Sequence, residues 1–420
     1  MPNFQVFEHE TIMVGDTCKG VKFDQRHFMC LSERLGKKDD TVFPFYSLVK
    51  YKHTDGIKFK QYVGAIQAKD LTIEILPKTD RKGEKKNWKE ILLFMLSRVR
   101  KLSIKSPGSS SQHIQKSSIL DFILLRFLDE TEELIHKGLV KTYQAKDENL
   151  YSLKGKLIVS THIRNNIAHK ERFFVRHTVY NQSHIMNRII RQTLLCIAES
   201  STNSAVRQRV RNSLQFFPEL DSVVVNESLF ANLDYNRKTE EYREAMSLSE
   251  LILFNNMPDL SYGRKDSLAM LFDMNRLWEE FIYVTLRRYL PADYDVTAQE
   301  RKKFWENRII KPDIVIRHGD ELIILDTKWK QPEKMTPSDS DLHQMYVYYK
   351  YFGAKKVALL YPSSDNTHPI RQGTFSEDSD GTKASCDLML LPVPRWKGRG
   401  KMWQEEIAQA IQSWIEPQER

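Results

Sequence analysis

A mixed α/β fold is predicted by three features of the amino-acid sequence. Residues 1 to about 80 hold short runs in which apolar and polar side chains alternate, as strands require. The middle of the chain carries apolar residues at helical spacing. The last third returns to the order helix, two strands, helix, strand. The chain therefore divides into a β-rich, small barrel-like part (1–80), a mainly helical part with a β insertion (81–260) and a C-terminal α/β part (261–420).

In the first part Phe4 and Val6 alternate, as do Val21 and Phe23. Tyr62 to Ile66 and Leu71 to Leu76 are strand-like runs joined at Lys69-Asp70, and a short helix is expected around His27 to Leu35. Asn87 to Leu102 places Trp88, Ile91, Leu92, Met95 and Val99 on one helical face, before a Ser-Pro-Gly and serine linker. A second helix spans Ser118 to His136 and stops at Gly138. Tyr151–Ser160 and Arg172–Tyr180 are expected as strands around a basic loop, His162 to Arg172. Helices follow at 185–199, 205–214 and 240–254, with Arg188, Arg191, Arg207, Arg209 and Arg211 as a side suited to phosphates.

The last part carries the chemistry. Lys311 to Lys328 reads as a β-hairpin turning at Gly319-Asp320, where glycine tolerates the positive φ of a tight turn. Pairing across that turn sets Val315 opposite Ile324 and Asp313 opposite Asp326, and period two puts Lys328 on the face of Asp326. Like charges facing each other destabilise a sheet. A divalent cation removes the repulsion, and Mg²⁺ is commonly held by one or two carboxylates together with substrate phosphates. Met274–Leu290 is a helix capped by Asp273 and bearing Glu279 and Glu280. Ser340–Phe352 is a helix stopped by Gly353, with Gln344 and Tyr348 one turn apart on a shared face. Val357–Leu360 is a buried and parallel strand, Leu388–Leu391 a further strand, and Lys401–Ile415 a closing helix.

Composition narrows the function classes. A net charge of +9 over 420 residues, with a pI near 9.1, favours a polyanionic partner such as double-stranded DNA. The N-terminus is polar, and no apolar run approaches the roughly 20 residues that span a bilayer, so a cytoplasmic chain without membrane association is expected. The four cysteines form no CxxC pair, which argues against a zinc or iron–sulfur site. No GxxxxGK[ST] loop is present, so nucleotide hydrolysis is not expected of this chain.

Pro312-Asp313 followed by Asp326-Thr327-Lys328 resembles the PD-(D/E)xK nuclease signature, and Gln344 with Tyr348 resembles the QxxxY element of some of its branches. That resemblance implies a restriction-endonuclease-like C-terminal domain that hydrolyses DNA with Mg²⁺ (or Mn²⁺). Asp313, Asp326 and Lys328 would be catalytic, Asp313, Asp326 and Glu279 would hold metal, and Glu279, Gln344 and Tyr348 would be auxiliary.

The wider chain is similar to the McrC family in Tyr62-Val63-Gly64, Leu71 to Lys78, Gly138-Leu139, Lys154 to Leu157, Asn187 to Ile190 and Phe272 to Phe281. McrC likeness implies a prokaryotic restriction system. An McrB-like AAA+ GTPase hexameric ring would bind the GTP, the N-terminal part would dock on that ring and stimulate it, and the C-terminal domain would cut. Two alternatives stay open: an autonomous repair- or CRISPR-type nuclease of the same fold, and a non-catalytic activator or DNA-binding subunit.

Overall fold

The computed structural model describes residues 2–35, 45–77, 85–99, 118–255, 269–330, 332, 335–363, 369–376, 384–394 and 400–416. Its contacts divide the chain into two compact units. One joins Met1–Leu120 to Ala269–Arg420, and the other is Asp121–Leu268.

The N-terminal segment of the first unit contains β1 (Asn3–Phe7), β2 (Thr11–Met13), β3 (Thr17–Cys18), β4 (Val21–Lys22), α1 (Gln25–Leu35), β5 (Tyr46–Tyr51), β6 (Thr54–Phe59), β7 (Tyr62–Ala68), β8 (Leu71–Leu76) and α2 (Lys85–Val99). The β7–β8 turn is made at Lys69-Asp70, with Lys69 at φ 57°. Every residue of β8 is buried, including Glu74 in the middle of an otherwise apolar strand. That carboxylate is fully partnered. It accepts from Gln5 Nε2 at 2.9 Å and from the Ile119 amide at 2.6 Å, and pairs with Lys89 at 2.9 Å. Burying it unpaired would cost several kcal/mol.

The second unit contains α3 (Ile119–Lys137), whose first residues belong to the first unit, then β9 (Thr142–Leu150), β10 (Lys156–Leu157), α4 (Val159–Asn166), β11 (Phe173–Asn181), α5 (Ile185–Ser200), α6 (Ser204–Leu214), α7 (Glu227–Ala231), a 3₁₀ turn (Glu240–Tyr242) and α8 (Arg243–Asn255). Two expectations fail here. The strand expected over Tyr151–Ser160 is reduced to the two residues of β10, and the long partner of β11 is the polar Thr142–Leu150. The basic stretch expected as a loop begins inside α4, where Asn166 is buried and exchanges 2.8 Å amide bonds with Asn149. Three of the five arginines expected to face phosphates are engaged internally. Arg188 and Arg191 donate to the carbonyls of Asp221, Ser222 and Leu220, and Arg209 pairs with Asp129 and Glu132.

The chain then re-enters the first unit through β12 (Ala269–Asp273), followed by α9 (Met274–Tyr289), β13 (Tyr294–Ala298), β14 (Lys302–Trp305), β15 (Arg308–Ile310), β16 (Ile314–His318), β17 (Glu321–Thr327), α10 (Asp339–Phe352), β18 (Lys356–Ser363), β19 (Ile370–Arg371), β20 (Asp387–Pro392) and α11 (Gly400–Ile415). Strand β12 pairs antiparallel with β7, so the N-terminal sheet runs β1-β8-β7-β12 and draws its last strand from the C-terminal segment. The expected barrel is not formed among the described residues. The strands make an open four-stranded sheet beside a three-stranded one (β2-β6-β5), both feeding a core that includes Phe4, Ile12, Phe59 and Ile66. The expected boundaries near 80 and 260 lie outside the described residues.

A six-stranded sheet, β13-β16-β17-β18-β20-β19, dominates the C-terminal segment. β16 and β17 are antiparallel, and β18 and β20 continue parallel to β17. Helix α9 buries Trp278 and Phe281, and the Phe281 ring lies 4.7 Å from Trp403 of α11. Among the described residues no helix is long and apolar enough to cross a membrane.

Candidate active site

The β16–β17 hairpin forms with the register read from the sequence: Val315 pairs with Ile324, and Gly319 turns the chain at φ 57°. Continuing that ladder by one step sets Asp313 beside Asp326 at the hairpin's open end. Asp313 precedes β16 and is held by β17 itself, accepting from the Thr327 amide at 2.7 Å and the Thr327 hydroxyl at 3.0 Å. Asp326 is fully buried, its strand covered on both faces. Burial, and then the charge of Asp313, push its carboxyl up to about 7.

Lys328 follows two positions later, its amide donating to the Leu360 carbonyl at 3.0 Å, so the parallel pairing to β18 fixes its backbone. Its Nζ lies 2.6 Å from Asp326 Oδ2. Burial works against the ammonium, but Asp326 outweighs it and holds Lys328 above the ordinary lysine value.

Helix α10 brings the other groups. Ser338 caps its start and Gly353, at φ 70°, ends it. Gln344 donates to Asp326 Oδ1 at 3.1 Å and to the Tyr348 hydroxyl at 2.8 Å, and accepts from Lys328 Nζ at 3.2 Å. The Tyr348 hydroxyl donates to the Lys311 carbonyl at 3.1 Å, and burial pushes its pKa up to about 12. Gln344 thus touches both the acid and the base of the pair, and Tyr348 ties the helix to the residue two before Asp313.

Glu279 on α9 accepts from Gln299 Nε2 at 2.7 Å. Burial raises its pKa, and the next cause is the charge of Asp313, which places the two acids within electrostatic reach. Gln299 carries no motif and was not anticipated. It sits at φ 54°, donates its amide to the Asp313 carbonyl at 2.9 Å, and so bridges the two acids. The neighbouring Asp341 binds Lys330 at 2.6 Å and the Tyr361 hydroxyl at 3.2 Å. Burial acts to raise its pKa, but the bonds from Lys330 and then Ser338 outweigh it and hold the carboxyl below the usual range.

Among the described residues no three acidic, histidine or cysteine side chains already converge as a metal cluster. The donor chemistry nevertheless fits a hard cation. Two carboxylates oppose each other, one of them fully buried and resisting ionisation, and Mg²⁺ needs only one or two carboxylates when water and phosphate complete its octahedron.

A family model described as "McrBC 5-methylcytosine restriction system component" matches residues 57–362. The chain is 22% identical over 209 residues to the type IV methyl-directed restriction enzyme EcoKMcrBC of Escherichia coli (strain K12), an alignment covering 47% of this chain and 60% of that protein. It thus spans about three fifths of that relative's length. Its fold resembles a chain of a refined half-complex from a tetradecameric assembly of Thermococcus gammatolerans McrB AAA+ hexamers with bound McrC, at a TM-score of 0.70 and 18% identity, covering 98% of this chain and 100% of the other. A second likeness, to the cryo-EM structure of the Thermococcus gammatolerans McrBC complex, has a TM-score of 0.50 at 18% identity and covers 69% of this chain and 88% of that one.

Proposed function

The chain belongs to the family of McrBC 5-methylcytosine restriction system components, and from that premise we propose that it is the DNA endonuclease subunit of a McrBC-like, GTP-dependent and modification-dependent restriction system. The observation that carries this reading is the set of contacts joining Asp313, Asp326, Lys328 and Gln344 at the end of one hairpin. The surrounding order of α9, β16, β17, α10 and β18 supports a PD-(D/E)xK-type nuclease domain.

In this reading Asp313 and Asp326 would hold Mg²⁺, with Glu279 as a further ligand or a contact through water. Bound Mg²⁺ would supply Lewis acidity toward the scissile phosphate and make water a better nucleophile. Lys328, fixed by Asp326 and Gln344, orients the attacking water and offsets charge developing on the phosphate oxygens. Gln344 keeps the ammonium and carboxylate in register, and Tyr348 anchors Gln344 to the backbone of Lys311.

The partner is proposed to be an McrB-like AAA+ GTPase ring, because solved structures of the same fold are described as McrB hexamers with bound McrC. The ring would bind and hydrolyse GTP and supply translocation. The N-terminal part of this chain would dock on it and stimulate it, in the cytoplasm of a prokaryote.

The test is to incubate the purified chain with Mg²⁺ and methylated plasmid, with and without the GTPase partner and GTP, beside Asp326→Asn. Cutting only with partner and GTP, lost in the variant while assembly persists, is the expected result. Cutting by the chain alone would mark an autonomous nuclease, and no cutting under any condition would leave an activator subunit.

A further inference from the structure

A short hairpin immediately precedes Asp313 in the chain. β14 and β15 lie within Arg301-Lys302-Lys303-Phe304-Trp305-Glu306-Asn307-Arg308-Ile309-Ile310-Lys311, a stretch with five basic residues and one acidic residue. Both of its necks are tied to the site. The Gln299 amide donates to the Asp313 carbonyl at 2.9 Å, and the Lys311 carbonyl accepts from Tyr348 at 3.1 Å.

One face is braced on α10. Phe304 meets the Tyr351 ring edge-on at 5.3 Å, Lys302 Nζ donates to the Tyr351 carbonyl at 2.8 Å and lies 4.8 Å from its ring, and the Tyr351 hydroxyl donates to the Lys303 carbonyl. Lys302 and Phe304, two apart, therefore take the helix side. Lys303 pairs with Ile309 and, past a register shift, Trp305 pairs with Arg308; all four are exposed, Trp305 by 61%. The turn closes at Glu306, φ 46°.

An indole and cations held out on a braced hairpin form a poor free surface but a good surface for a duplex. Cations neutralise phosphates, and an apolar side chain stacks on bases or wedges between base steps. We infer that the β14–β15 hairpin is a DNA-gripping arm: Lys303 and Arg308 contact backbone phosphates flanking the cut, and Trp305 lies against the bases. The charge of the stretch and its continuity with Asp313 select a nucleic-acid duplex over an apolar protein partner. The inference rests on the nuclease reading of the adjoining site. In turn it gives that site the means to hold a phosphodiester in place while the acids and Lys328 act.

The full-length chain is titrated against a fluorescein-labelled duplex in EDTA, where no cutting occurs, over a range of KCl. Trp305→Ala should weaken binding about tenfold, and Lys303→Ala/Arg308→Ala should lower the slope of log K against log salt by about two. Melting curves should not move, since none of the three side chains is packed. Wild-type binding in both variants, or a wild-type chain that does not bind duplex at all, overturns the arm. Variants that change sedimentation and not DNA binding overturn it in favour of a contact between two copies of this chain. Plasmid cleavage by the assembled complex separates the two readings. An intact arm on a complex that never cuts would sink the nuclease reading alone, and undiminished binding and cutting by both variants would sink the arm alone.

Discussion

Gln344 is the side chain whose removal should be most informative, because it touches both members of the Asp326–Lys328 pair without being a metal ligand or a proton donor in the reaction. Its amide donates to Asp326 at 3.1 Å and accepts from Lys328 at 3.2 Å. Hydrogen bonds to charged groups contribute about 1.5–3 kcal/mol. These two are long for charge-assisted bonds, which run nearer 2.7–2.9 Å, so the lower value, about 1.5 kcal/mol each, is appropriate. If both act by holding Lys328 where charge develops, Gln344→Ala raises the barrier by about 3 kcal/mol and slows cutting about a hundredfold. Gln344→Glu should lose at least as much: it keeps an acceptor for Lys328 but sets a third carboxylate against Asp326. The assay is single-turnover cleavage of a methylated duplex by the assembled complex over a range of DNA concentrations. A positioning role lowers the maximal rate and leaves the half-saturating DNA concentration unchanged. A Gln344→Ala variant within threefold of wild type (about 0.6 kcal/mol), or one whose loss lies wholly in DNA affinity, would refute the argument.

Three other perturbations follow from the fold. Gly64 sits at φ +136° and a Cβ there would lie 2.0 Å from the Met270 carbonyl oxygen, so Gly64→Ala should separate β7 from β12 and cost several kcal/mol in denaturant unfolding; an unchanged midpoint would mean that the pairing is dispensable. Lys89→Met leaves Glu74 buried beside only neutral donors and should destabilise by about 3–5 kcal/mol, with Glu74→Gln/Lys89→Met recovering part of it; equal melting of the single and double variants would contradict this. His184 caps α5 by accepting from the Met186 amide at 3.3 Å, and burial holds its pKa below the usual 6.5. Its contribution is complete above pH 6.5 and is lost as pH falls from there toward the depressed folded-state value, so the protection factors of the α5 amides, with the intrinsic pH dependence of exchange divided out, should fall between pH 7.5 and 5.5. His184→Asn should flatten that dependence, and a profile the same in both proteins would place the titration elsewhere.

What the sequence made legible was local. The β16–β17 register follows from period two and one glycine, the end of α10 from Gly353, and the start of α9 from Asp273, each a signal carried within a few residues of its effect. The juxtaposition of Asp313, Asp326 and Lys328 was readable for the same reason. β9 was not, because Thr142–Leu150 is polar and largely exposed, and its strand state comes from pairing with β11 rather than from a buried face. β12 carried an apolar run, but its partner is far away in sequence, and no local rule points from Phe272 to Val63. Gln299 was invisible because its role depends on a left-handed backbone and on two contacts made in space. The β14–β15 hairpin did offer a signal, two short apolar-and-basic runs around Glu306-Asn307.

The borrowed strand has a consequence for how the protein is made. Val63 on β7 reaches its partner Phe272 only after the ribosome has added about two hundred further residues. Until then β7 ends the nascent N-terminal sheet with an open row of amides and carbonyls, the kind of edge that recruits other strands. The intervening segment, Asp121–Leu268, is contiguous and has its own internal contacts, which do not wait for β12. Synthesis interrupted anywhere before Ala269 therefore leaves a chain with a sticky sheet edge. Completing the strand that leads into α9 seals that edge and, in the same step, delivers Glu279.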